Sequence, residues 1–123
     1  MSSVALVSIV EDDESVRKAT ENLIRSMGWE VLSFDSAEAF LDSGAVAITR
    51  CLISDVTMPG LSGIEMHAQL LALGHAPPTV FITGNPTAQD SATAQANGAL
   101  AYLEKPVDSN TILHYVQQAL GTP

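Results

Sequence analysis

Five short runs rich in apolar and β-branched residues recur along the chain: Val4 to Val10, Glu30 to Phe34, Cys51 to Ser54, Thr79 to Thr83 and Leu100 to Leu103. Each is followed by a segment long enough for a helix, so the chain reads as strand then helix, five times over. No other feature narrows the fold as much. Strands joined by helical crossovers pair in parallel, and helices then cover both faces of the sheet. The first and fourth runs are continuously apolar rather than alternating, as strands buried on both faces require. The intervening segments carry helical spacing. Val16, Thr20, Leu23, Ile24 and Met27 line one face of the first, with Gly28 as its stop. In the third, Ile64, Ala68 and Leu71 fall at i, i+4 and i+7, the expected core face, with Gly74 at the C-cap. Asp108 is placed to cap the last, turning Ile112, Leu113, Val116 and Leu120 inward. The fourth, over residues 87–98, has only Ala88, Ala92, Ala94 and Ala96 to bury. It is expected to be weakly held, because stabilisation scales with apolar area at about 25 cal/mol per Å².

A chain of 123 residues fits one domain, spanning 1–123. It is 46% hydrophobic, yet no run approaches the ~20 apolar residues of a membrane span. The start, "MSSVALVSIV", lacks a basic leader region and a cleavage site. A cytoplasmic protein without membrane contact is expected. The net charge of −9, with only five Lys and Arg, argues against direct binding of nucleic acid, which needs clustered cations. The single Cys51, in "RCLIS", reads as a buried structural thiol. His67, His75 and His114 are scattered over two helices and a loop and suit surface or packing roles. Trp29 and Phe40 suit the core or its boundary.

In open α/β sheets, ligands bind beyond the carboxyl ends of the strands. Glu11, Asp12 and Asp13 follow the first strand, Asp55 the third, Thr83 closes the fourth, and Glu104 and Lys105 follow the fifth. Two unit charges ~4 Å apart repel by about 4 kcal/mol at an effective dielectric of 20, so crowded carboxylates need raised pKa values or a cation. Oxygen donors favour a hard cation. Mg²⁺ in particular takes one or two carboxylates, keeps waters and is completed by phosphate oxygens.

These motifs resemble the receiver (CheY-like) domain of two-component response regulators. The resemblance rests on "ED" closing the first strand, "SDVTMPGLSG" at the third, "FITGN" at the fourth and "AYLEKPV" at the fifth, and it covers residues 4–120. It implies a doubly wound, five-stranded parallel sheet of order 2-1-3-4-5 with five helices, the flavodoxin-like arrangement. It further implies that Asp55 accepts a phosphoryl group from a sensor histidine kinase or phosphotransfer protein. Asp12, Asp55 and the Thr57 backbone carbonyl would ligate Mg²⁺, or Mn²⁺ in its place, with Glu11 reaching it through water. Asp13 falls to the first helical turn. Lys105 would pair with the phosphoryl group and Thr83 would hydrogen-bond it, with Tyr102 as the aromatic switch that follows Thr83 inward. The Lys105–Pro106 bond is cis in the family. The implied protein is a signalling module rather than an enzyme, promoting its own phosphorylation and dephosphorylation. Its fourth helix, fifth strand and fifth helix would form an output or dimerisation face.

"VRKA", "SAEAFL" and "MPGLSG" are similar to the subfamily of the nitrogen-fixation regulator, whose receivers usually precede a helix-turn-helix domain. The expected setting is therefore a transcription regulator with a further DNA-binding domain, a single-domain phosphorelay shuttle being the alternative. Glu11 departs from the commoner Asp, Pro86 stiffens the loop after the fourth strand, and Asn85 holds a position that tunes phosphoryl hydrolysis in the family. A phosphatase of the haloacid dehalogenase type wants a second Asp where Thr57 stands. A flavodoxin needs a glycine- and hydroxyl-rich phosphate loop where this chain has "EDDES". A degenerate receiver serving only as an interaction module would not need Asp12, Asp55, Thr83 and Lys105 intact.

Overall fold

The computed structural model describes residues 4–122; Met1 to Ser3 and Pro123 lie outside it, and with them part of the segment read for a leader. Five strands, β1 (Leu6–Val10), β2 (Glu30–Phe34), β3 (Thr49–Asp55), β4 (Thr79–Thr83) and β5 (Ala101–Glu104), alternate with five helices. These are α1 (Glu14–Ser26), α2 (Ala37–Asp42), α3 (Gly63–Ala72), α4 (Ala88–Ala96) and α5 (Ser109–Leu120). All neighbouring strands pair in parallel, in the order β2-β1-β3-β4-β5. The doubly wound sheet expected from the alternation is what forms. β1 starts at Leu6 rather than Val4, β5 lies one residue later than the apolar run, and β3 extends back to Thr49. That extension is held by a buried hydrogen bond between the Ser8 and Thr49 hydroxyls (2.7 Å), a polar pair that a search for apolar runs passes over.

β1 and β4 are buried along their whole length. One core cluster, with Val7, Ile9, Cys51, Ile53, Val80 and Ile82, packs against Ile24 of α1 and Ile112 and Val116 of α5. A second joins Val10 and Leu52 to Phe40 of α2 and Met66 and Leu70 of α3. The third is small: Val56, Phe81 and Ala94. Trp29 and Phe40 belong to the core, and Cys51 is fully buried. Burial pushes its thiol up to about 12, an inert group as expected.

Two expectations about helix faces need correction. α3 buries Gly63, Met66, His67 and Leu70, whereas Ala68 and Leu71 are exposed and Ile64 half-buried. The helix is apolar on more than one side, so spacing alone does not set its rotation. Its entry does. A Cβ on Gly63 would collide with the Asp55 carbonyl, so the first turn is pressed onto the end of β3 and the Met66–Leu70 side turns inward. His67 goes with it, edge-on to Phe81 at 5.3 Å between ring centroids, and desolvation holds its pKa below the usual histidine value. In α4 only Ala94 is buried; Ala88, Ala92 and Ala96 face solvent.

Candidate functional site

Each strand of the site ends where its apolar run ends, so its first polar side chains meet at one edge of the sheet. β1 delivers Glu11, whose N–H donates to the Phe34 carbonyl (3.0 Å) and whose side chain is 1% exposed. Asp13 steps out of the cluster to cap α1, accepting from Val16 N–H (3.1 Å). Asp12, between them, is exposed. β3 delivers Asp55, 4% exposed. Oxygens of Glu11, Asp12 and Asp55 all lie within 4.8 Å of one another. β5 delivers Lys105, whose Nζ sits 2.7 Å from Glu11 Oε1 and donates to Asp55 Oδ2 at 3.1 Å. The Lys105–Pro106 peptide bond is cis. β4 delivers Thr83, fully buried, tied to the fifth strand by Lys105 N–H on its carbonyl (2.8 Å).

Two buried carboxylates share one ammonium, and their protonation follows. Burial raises the Glu11 pKa to about 7; Lys105 works against this, and the neighbouring Asp55 adds to it. For Lys105, burial favours the neutral form, but the contacts with Glu11 and Asp55 outweigh it and the pKa rises. Glu11 Oε1 makes a charge contact with Lys105 and no aligned hydrogen bond, a buried acceptor with spare capacity. Three carboxylates, oxygen donors only and an under-used lone pair suit a small hard divalent cation. Glu104 is exposed and takes no part in the cluster.

The hydrogen bonds around the site are directional. Thr57 N–H donates to Asp55 Oδ1 (3.3 Å), so both oxygens of Asp55 are engaged, one from its own loop and one from Lys105. Thr83 Oγ1 accepts from Asn85 N–H (3.0 Å), which leaves the hydroxyl proton free to donate. Tyr102 is half-buried, and its hydroxyl accepts from Thr87 N–H at 3.2 Å.

Residues 7–117 match the family described as the response regulator receiver domain. The chain belongs to that family. Among curated relatives, this receiver is 40% identical over 118 residues to nodulation protein W of Bradyrhizobium diazoefficiens, covering 96% of the receiver and 52% of the relative. It is 36% identical over 115 residues to the transcriptional regulatory protein FixJ of Azorhizobium caulinodans, covering 94% and 54%. The receiver spans about half the length of these relatives. Of solved structures, that of the response regulator StyR superposes with a TM-score of 0.88 at 39% identity, over 96% of this chain and 60% of that one. The crystal structure of FixJ-N superposes with 0.83 at 32%, over 96% and 94%. The similarity to the nitrogen-fixation subfamily read from three short motifs thus extends over the whole domain.

Sequence reasoning brought Glu11, Asp12, Asp13, Asp55, Thr83, Glu104 and Lys105 to the carboxyl ends of the strands, with Thr57 and Tyr102 added by the resemblance. Of these the structure gathers Glu11, Asp12, Asp55 and Lys105, with Thr57 N–H on Asp55 and Thr83 at the end of β4, whereas Asp13 caps α1, Glu104 is exposed and Tyr102 pairs with Phe81. It missed three supports. Arg17 Nη1 donates to the Glu11 carbonyl (2.9 Å), Gly63 lets α3 abut Asp55, and Glu38 of α2 accepts from Leu61 N–H (3.0 Å). All three residues lie in motifs singled out above, Arg17 in "VRKA", Glu38 in "SAEAFL" and Gly63 in "MPGLSG", but the contacts they make left no local trace.

Proposed function

We propose that this receiver takes a phosphoryl group onto Asp55 from a phosphohistidine on a partner histidine kinase or phosphotransfer protein. The observation that carries the reading is the bridge of Lys105 between Glu11 and Asp55 beside Asp12, with the acceptor 4% exposed at the end of the central strand. A carboxylate oxygen of Asp55 attacks phosphorus, the new O–P bond forms as the N–P bond breaks, and the imidazole nitrogen keeps the electron pair and takes a proton. Asp12, Asp55 and the Thr57 carbonyl would hold Mg²⁺, with Glu11 behind them through water. When bound, the cation neutralises charge on the phosphoryl oxygens during transfer. Lys105 is poised to pass from the carboxylates to a phosphoryl oxygen, and Thr83 to donate its free hydroxyl proton to another. Transfer of this kind depends chiefly on such positioning and neutralisation. The module acts on itself rather than on a turned-over substrate. The names of its relatives support a place in transcriptional control.

Incubation with acetyl phosphate and Mg²⁺ should add the mass of one phosphoryl group to the intact protein, and Asp55→Asn should abolish it. Equal labelling of the variant would remove Asp55 from the role.

A further inference from the structure

The loop from β3 to α3, residues 56–62, carries the groups nearest Asp55, and its ties are few. At one end Val56 N–H reaches the Ile82 carbonyl (3.2 Å). At the other, Ser62 and Glu65 form a reciprocal capping box. The Met58 side chain is buried in the second core cluster. Between these ends, Thr57 N–H donates to Asp55 Oδ1 of the preceding strand, and Leu61 N–H ties the loop to a non-flanking element, donating to Glu38 Oε2, a carboxylate 23 residues away on α2. Gly60 is adapted to that contact: its φ is +78°, and a Cβ there would collide with Glu38 Oε2. The Glu38 pKa lies below the ordinary glutamate value, chiefly because the Leu61 N–H holds the ionised form. Pro59 stiffens the intervening chain. Leu61 stands four residues from Thr57, whose N–H donates to Asp55 Oδ1.

We propose that Glu38 is a positioning residue for the acceptor site, a strap from α2 that sets the 57–61 loop and through it the Asp55 carboxylate and the Thr57 carbonyl. The inference rests on the phosphoacceptor reading above and extends it to a residue outside the cluster. Glu38 is exposed, so its replacement leaves the core intact. The strap acts by accepting a hydrogen bond, which a glutamine can also do.

The test compares wild type, Glu38→Ala and Glu38→Gln. Three readings are taken: amide exchange at Leu61 and Thr57, calorimetric titration with Mg²⁺ alone, and the acetyl phosphate rate against Mg²⁺ concentration. Glu38→Ala is expected to speed exchange at both amides and weaken Mg²⁺ binding by about three- to tenfold, the fold-change of one net hydrogen bond. Its phosphorylation rate should fall at low Mg²⁺ and return to the wild-type value at saturation. Glu38→Gln should restore all three readings to within about twofold, the lower edge of that hydrogen-bond range. Wild-type Mg²⁺ affinity in Glu38→Ala overturns the strap and leaves the acceptor reading standing. So does a glutamine variant as impaired as the alanine. A wild-type protein that binds no Mg²⁺ overturns both.

Discussion

Glu11 carries its carboxylate into a position 1% exposed, beside a second buried carboxylate, and holds its proton to about pH 7. Its pKa in the unfolded chain is near 4.5, so the metal-free fold binds the proton more tightly than the unfolded state does. Metal-free stability is then expected to fall as pH rises from 4.5 through 7, by about 3 kcal/mol at most. The cation reverses the sign. It requires the ionised acid, so Mg²⁺ affinity should drop as pH falls below about 7, approaching tenfold per unit for one competing proton. Calorimetric titrations at pH 5.5 and 8 check this, and Glu11→Gln should flatten the dependence. Gly63 supports a second expectation at this scale. A methyl group there meets the backbone of Asp55, which cannot swing aside, so Gly63→Ala should cost ~1–3 kcal/mol in urea unfolding. The acidic, hydroxyl and ammonium residues were legible because each closes an apolar run, and a run's end is a local signal. Glu38 and Arg17 were not, because their partners are defined only once α2 and α1 have docked.

Among the helices, α4 is the least anchored, with one buried alanine against Ile24 in α1 and Met66 and Leu70 in α3. It is held at its start by the Thr87 cap on Asp90 N–H (3.0 Å) and by Tyr102 on Thr87 N–H. Both ties lie within a few residues of Thr83. Loading Asp55 with beryllofluoride is expected to draw the Thr83 hydroxyl toward the phosphoryl mimic and change hydrogen exchange across residues 84–103. Changes confined to α1 and α2 would sink that expectation. The weakness of α4 was legible from composition, since alanines bury little area whichever way the helix turns. The rotation of α3 was not legible: "GIEMHAQLLA" offers apolar residues on several sides, and the close approach of Gly63 to β3 decided among them.

For the molecule as a whole, the strand order was readable from the family motifs and the parallel pairing from the strand–helix alternation. The exposed side of α4 lies next to β5 and α5, where half-buried Tyr102 and Leu100 leave some apolar surface at hand. Two phosphorylated copies are expected to associate through that face. Light scattering should give a monomer without beryllofluoride and a dimer with it, and an unchanged mass would count against the face. The parallel sheet has one more consequence. β1 finds β3 only after β2 and its flanking helices have been skipped over, and Lys105 reaches Asp55 across 50 residues of chain. Such long-range closures come late and together as a chain folds. A chain that has not closed these pairings lacks the Lys105 bridge to Asp55 and Glu11. No single strand or helix carries the site, so cation binding is expected to report on the completed sheet.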